Sequence, residues 1–272
     1  MIQAGELYKA GRLREAIEDQ ILAVKNAPTD QAKRLFLFEL LLFAGDLERA
    51  RRQIEAVEYK DPDLDAATAV YRTLLDSEQA RRDVFARGTA PGFFGEPPEH
   101  LRLRLEAISR LREGRPDEAA ETLHRANEAI HEVHGQLNGK AFQTFRDADD
   151  LFAGVIEVMA HGRYFWVPLE QLRLVTMNPP RFPRDLLFIP AHLELDDEQG
   201  EVFIPALYPG SHEHADDQVR LGRMTDWKEL DGGAALGIGL HTYLQDDDPI
   251  SLLEWREWRS DHESSEEPGE EP

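Results

Sequence analysis

Ala10-Gly11-Arg12-Leu13-Arg14-Glu15-Ala16 returns as Ala44-Gly45-Asp46-Leu47-Glu48-Arg49-Ala50, at an offset of 34 residues. Pro28 and Pro62 each stand 17 residues after the glycine of their copy, and Gly114-Arg115-Pro116-Asp117-Glu118-Ala119 is a weaker third copy. An offset of 34 is the period of the tetratricopeptide (TPR) helix–turn–helix repeat. Each glycine falls where one helix must end and the chain must turn through positive φ. Ala16 and Ala50 lie one turn into the next helix, where a small side chain lets two helices approach. Proline lacks an N–H, so Pro28 and Pro62 are expected to close their units. Repeats of this kind present a surface to another protein, so the stretch points to a partner before a substrate.

On either side of this stretch the apolar residues keep helical spacing: Leu7, Leu13, Ile17, Ile21 and Val24, then Leu35, Phe38 and Leu42, then Leu47, Ile54 and Val57. Another helix is expected from about Ala66 to Arg87. Gly88 to Pro98 holds three prolines and three glycines and reads as a loop. Helices resume at Leu101–Arg112 and from Pro116 to about Val133. Gly135 to Gly139 marks a boundary, followed by a short helical piece around Asp149–Met159. Then come short runs rich in β-branched and aromatic residues: Tyr164–Val167, Leu172–Val175, Asp185–Ile189, Glu201–Ile204 and Ile238–Leu244. Proline and glycine clusters separate them, as in a small antiparallel sheet or barrel. The expected class is α+β, with TPR-like α-helical repeats over 1–135 and a small antiparallel β domain (sheet or barrel) over 136–260. Residues 261–272 carry six acids and no lysine or arginine, and are expected to be disordered.

A chain of 272 residues fits about two domains. It has no cysteine, which excludes disulfides, thiol catalysis and thiolate metal sites. The formal net charge of −22 divides into −6 over residues 1–150 and −16 over 151–272. Such a field repels phosphate backbones, so no nucleic-acid partner is expected, and it favours a protein with a basic surface. The plain alternative is that the charge serves solubility. The longest apolar stretch, Leu35 to Gly45, is broken by Glu39 and is too short to span a membrane. Met1 to Leu13 reads as a polar amphipathic helix and not as a signal peptide. A cytoplasmic protein without a membrane partner is the expectation.

Candidate chemistry is sparse. His212-Glu213-His214 with Asp216 and Asp217 has metal-ligand residue types, yet it follows Pro209-Gly210 and reads as a solvated loop. His124, His131 and His134 are expected to share a helix face, and His131-Glu132-Val133-His134 falls one residue short of the zinc-protease spacing. Asp147-Ala148-Asp149-Asp150 begins like a calcium loop but has Phe152 where glycine is needed. Gly237-Ile238-Gly239 lacks the third glycine of a nucleotide fingerprint, and no nucleophile elbow or phosphate loop is present. No cofactor, metal or catalytic residue is assigned. The competing reading is a metal-dependent hydrolase using His212, His214 and Asp216 in the β domain. Tyr164, Phe165 and Trp166, with Trp227, Trp255 and Trp258, read as core of the β domain before interface.

Six ordered blocks carry a resemblance: Leu35-Phe36-Leu37-Phe38-Glu39-Leu40-Leu41-Leu42-Phe43-Ala44-Gly45-Asp46, Tyr71-Arg72-Thr73-Leu74-Leu75, Gly162-Arg163-Tyr164-Phe165-Trp166-Val167-Pro168, Arg184-Asp185-Leu186-Leu187-Phe188-Ile189-Pro190-Ala191, Tyr208-Pro209-Gly210-Ser211 and Leu221-Gly222-Arg223-Met224-Thr225-Asp226-Trp227. Together, from near residue 4 to about 256, the chain resembles the ImpE/TagJ family. It departs at Gly239-Leu240-His241, where the family is expected to carry Gln-Arg after the glycine. The resemblance implies a cytoplasmic accessory protein of bacterial type VI secretion, without known catalysis. It also implies a protein partner, the small contractile-sheath subunit, held by that subunit's N-terminal helix.

In repeats of this type the first helix of each unit faces the concave side. Alignment on Gly11 and Gly45 puts Gly5, Tyr8 and Lys9 there, with Ala32, Leu35, Glu39, Leu42 and Phe43 from the second unit. Leu35, Leu42 and Phe43 are then apolar anchors at helical spacing, and Glu39 faces a basic residue of the guest. The expected partner-binding set is Tyr8, Lys9, Leu35, Glu39, Leu42 and Phe43. The alternative is that the chain's own second half covers this face.

Overall fold

The computed structural model describes residues 3–59 and 61–261. The expected disorder of the acidic tail therefore falls almost wholly outside the described residues. Helices come first: α1 (Ala4–Lys9), α2 (Leu13–Asn26), α3 (Gln31–Phe43), α4 (Leu47–Glu55), α5 (Pro62–Arg87), α6 (Glu99–Arg112) and α7 (Pro116–Glu128). All three copies of the repeated segment are helical hairpins closed in the same way. Gly11, Gly45 and Gly114 have φ of 75°, 74° and 72°. Each donates its N–H to the carbonyl three residues back, and the next residue donates to the carbonyl five back: Arg12 to Leu7, Asp46 to Leu41 and Arg115 to Arg110. This double bond satisfies the last carbonyls of the first helix. Ala16, Ala50 and Ala119 are fully buried where the second helix crosses the first. Pro28 lies between α2 and α3 as expected. Pro62 opens α5 instead of ending a unit, because the first turn of a helix needs no N–H from its leading residue.

The strands are β1 (Gly135–Leu137), β2 (Lys140–Phe142), β3 (Phe145–Asp147), β4 (Val155–Ala160), β5 (Arg163–Pro168), β6 (Leu174–Met177), β7 (Phe188–Glu194), β8 (Gln199–Pro205), β9 (Thr225–Glu229), β10 (Ala235–Gly239), β11 (Thr242–Gln245), β12 (Asp248–Ser251) and β13 (Glu257–Ser260), with a one-turn α8 (Asp217–Arg220). Eight of them form one antiparallel sheet in the order β2-β1-β13-β6-β7-β8-β4-β5, beside a ribbon of β9 and β10 and a three-stranded sheet β12-β11-β3. The class is α+β, and the large sheet is open: it ends at β2 and β5 and closes no barrel.

Three sequence expectations change. Val155–Ala160 is strand β4 and not helix; it is buried on both faces, so its apolar run lacks the alternation that marks a half-buried strand. The helix begun at Pro116 stops at Glu128, because the chain must enter β1 beside β13. His131 and His134 therefore lie beyond it and share no helix face with His124. Asp185–Ile189 divides into a 3-10 turn (Pro183–Leu186) and the start of β7.

One core lies between the helices and the sheet, where Leu74, Leu75 and Val84 of α5 meet Tyr164, Trp166 and Phe188. A second lies on the far face, around Phe145, Tyr243, Trp255 and Trp258, and a third, smaller one joins Leu7, Leu13, Leu40 and Phe43 to Leu221. Of the six aromatics singled out, Trp227 alone is well exposed, at 39%.

Candidate functional site

The concave face of the first two hairpins is covered by the segments flanking β7 and α8. Asp217 Oδ2 accepts the Leu13 N–H at 2.8 Å, capping α2, whose own N-cap residue Arg12 supplies no side-chain acceptor. Arg223 donates to the carbonyls of Tyr8 and Lys9 at 2.7 and 3.0 Å, with its guanidinium near the Tyr8 ring. The side chains of Gln218 and His212 lie where Cβ atoms on Gly11 and Gly45 would fall. These repeat glycines thus serve both as left-handed caps and as seats for the second half of the chain.

The deepest contact is polar. Arg184 donates to Glu39 at 2.5 Å, and both side chains are nearly buried. Burial raises the Glu39 carboxyl, and the guanidinium partly offsets that. Phe43 packs with Leu7, Leu13, Leu40 and Leu221, while Leu42 belongs to the core between helices and sheet. Of the six expected partner-binding residues, Glu39, Leu42 and Phe43 are therefore buried under the chain's own second half. Tyr8 and Leu35 are half-buried, and Lys9 is exposed.

Behind this face, α5 meets the sheet through a buried charge network. Arg81 donates twice to Glu157 and once to the Leu207 carbonyl, each at 2.6 Å. Tyr164 donates to Glu157 at 2.5 Å and receives the Trp166 indole N–H at 2.5 Å. His241 lies between two carboxylates, with Nδ1 at 2.7 Å from Asp147 and Nε2 at 3.0 Å from Glu157. Both ring nitrogens must donate, so the ring is an imidazolium. Burial works against that charge, but Asp147 and Glu157 outweigh it and raise His241 to about 9. Burial likewise opposes the Glu157 carboxylate, yet Arg81 and His241 bring it down to about 2. Burial and the neighbouring Asp147 push Asp149 up to about 7. Tyr208 closes the group by donating to Asp147 at 2.5 Å, and Ser211 is held by the Tyr208 carbonyl and the Gly239 N–H. Arg81 and His241 face Asp147 and Glu157, with Glu78 3.6 Å from Arg81 and Asp149 beside Asp147, and the polar atoms answer one another. The geometry is that of a structural clamp.

Comparison with known proteins agrees with this architecture. The chain is 35% identical over 255 residues to the type VI secretion system accessory component TagJ of Pseudomonas aeruginosa, covering 93% of this chain and 89% of that protein. It belongs to the ImpE/TagJ family. The family model described as ImpE protein matches residues 139–259. An X-ray structure of a Vibrio parahaemolyticus protein superposes with a TM-score of 0.88 at 26% identity, covering 96% of this chain and 98% of that one.

Within this ImpE/TagJ chain the residues of the hydrolase alternative diverge. His212 packs on Gly45, His214 turns to Asp226 at 3.3 Å, and Asp216 caps α8 through the Gln218 N–H. Among the described residues no group of three histidines or acids is placed to hold a metal. Nor, among the described residues, is any helix long and apolar enough to cross a membrane. The clamp went unread in the sequence. In the sequence Asp147 and Asp149 belong to a broken calcium-loop pattern, and His241 stands out only as a departure from the family pattern. Their neighbours Phe145, Phe152 and Tyr243, all buried, are the one sequence signal that these polar residues face inward.

Proposed function

We propose that the chain is a non-catalytic adaptor of type VI secretion, acting in the cytoplasm, which holds the N-terminal helix of the small contractile-sheath subunit. The observation that carries this is the identity to TagJ over nearly the full length of both chains. The array of helical hairpins supports it, because stacked hairpins offer a trough suited to an amphipathic helix. Tyr8, Lys9 and Leu35 form the accessible lip of that trough, and Glu39, Leu42 and Phe43 its floor. A guest sets an apolar residue toward Leu35 and, where the cover over Glu39 gives way, a basic residue toward that carboxylate. The net charge of −22 speeds the encounter with a basic guest.

The test is a titration of a labelled sheath-subunit N-terminal peptide by fluorescence anisotropy. Leu35→Asp and Tyr8→Ala suit it better than changes at Leu42 or Phe43, whose burial would confound binding with folding. Saturable binding by the wild type, weakened about tenfold by Leu35→Asp, is expected. Failure of the peptide to saturate the wild type and every folded variant ends this reading.

A further inference from the structure

β6 and β7 are antiparallel neighbours, paired from Leu174↔Glu194 to Met177↔Ala191. Such a pair needs only a tight turn. Here the link runs from Asn178 to Leu187, leaves the sheet after β6, and rejoins it only at Leu187, whose carbonyl accepts the Ala206 N–H at 2.9 Å. Pro179, Pro180 and Pro183 stiffen it, and the Asp185 carboxylate ties its bend by accepting the N–H groups of Arg181 and Phe182 at 2.9 and 3.0 Å. The link delivers one guanidinium and two leucines to the helical face. Arg184 sits on Glu39, 4.8 Å from the Tyr71 ring centre and 4.0 Å from that of Phe182. Leu186 and Leu187 pack against the cluster of Leu7, Leu13, Leu40 and Phe43.

The fit is incomplete. Arg184 Nε is buried without a hydrogen-bond partner, as are nitrogens of Arg72, Arg104, Arg173 and Arg220; what sets this link apart is Phe182, which covers the guanidinium from outside and is 50% exposed. A segment serving the fold alone would have little reason to bury a cation on one carboxylate and the Tyr71 hydroxyl when a short apolar turn would suffice.

We infer that residues 181–187 are a resident ligand of the helical face, and that the partner segment which replaces them has the same chemistry. That segment is a basic residue seated on Glu39, flanked by an aromatic and aliphatic side chains. The inference rests on the adaptor reading and adds to it: the adaptor is self-occupied, and the partner competes with the link. Charge fits this choice, because a basic segment approaches an acidic chain and finds the buried carboxylate already shaped for a cation. The apparent affinity of wild type is then reduced by the fraction of molecules whose link is out.

The experiment uses the full chain and two probes, the sheath-subunit N-terminal peptide and a synthetic peptide of residues 179–188, each titrated by anisotropy. Arg184→Ala removes the resident cation and is expected to bind both peptides about tenfold more tightly than wild type. Arg184→Ala with Glu39→Gln removes the seat as well and is expected to lose that gain. Arg184→Lys keeps a cation and is expected to match wild type. Melting curves establish that each variant is folded. If Arg184→Ala is not, the exposed Phe182→Ala takes its place, with a smaller gain expected. A folded Arg184→Ala that binds the sheath peptide no better than wild type overturns the resident ligand and leaves the adaptor reading intact. Binding of the 179–188 peptide to Arg184→Ala, with no binding of the sheath peptide to any variant, supports the resident ligand and overturns the adaptor reading.

Discussion

His241 is charged in a place without solvent, and the pH dependence of folding should report it. Its pKa in the folded chain, about 9, lies above the ordinary 6.5. The stabilisation is therefore complete below pH 6.5 and is lost as pH rises through 9, on the order of 3 kcal/mol. Asp149, raised from 3.8 to about 7, adds to the decline in a lower window, since ionising it costs more in the fold than in the unfolded chain. Glu157, lowered from 4.5 to about 2, has the opposite sense: its contribution is present above pH 4.5 and fades as pH falls through 2. Thermal melts at pH 6.5, 7.5 and 9 should show the wild type losing stability steadily. His241→Gln should be less stable at pH 6.5 yet flatter across the same range. Parallel slopes would mean that His241 does not titrate with folding. None of this was legible in local pattern. Arg81, Asp147 and Glu157 lie on α5, β3 and β4 and His241 in the link between β10 and β11, and only the folded topology brings them together. Glu39 was legible as a carboxylate awaiting a base, and the base proved to be the chain's own Arg184.

The three glycine-closed hairpins share one backbone geometry but differ in what covers them, and this gives a graded expectation. A Cβ on Gly114 meets nothing within 4 Å, so Gly114→Ala carries only the left-handed strain, about 1–2 kcal/mol. A Cβ on Gly11 meets the tip of the Gln218 side chain, which can swing aside. On Gly45 it meets the His212 ring and Cβ, which cannot move without disturbing the seat of the 208–213 turn. Gly45→Ala should therefore cost the most, and urea midpoints of the three variants should separate Gly45→Ala from the other two. Equal midpoints would mean that His212 is not packed on that turn. The hairpins were readable because helix period and glycine cap are local signals. Strands β1, β2 and β3 were missed because three-residue strands leave almost no periodic trace. β4 was misread because burial on both faces erases the alternation that separates strand from helix.

At the scale of the molecule, the boundary expected near residue 135 separates two patterns of secondary structure, but the packing crosses it. Leu42, Leu74 and Val84 share a core with Trp166, Phe188 and Tyr208, and Phe43 shares one with Leu221. The cap on α2, the partner of Glu39 and the partner of Arg81 also come from beyond residue 135. A fragment of residues 1–135 would expose each of these apolar side chains at roughly 1.5–3 kcal/mol apiece, strand the buried Glu39 without its counter-charge, and leave Arg81 only the longer contact to Glu78 at 3.6 Å. Its helices depend on tertiary packing more than on propensity, as short helices do. The expectation is a fragment with helical far-ultraviolet circular dichroism, no cooperative thermal transition and strong binding of anilinonaphthalene sulfonate, set against one cooperative transition for the whole chain. A fragment that melted cooperatively would show that the hairpins hold their shape uncovered. The second half would then act as a detachable cover and not as part of the core, and displacement by a partner would extend to the entire face instead of the 181–187 link alone.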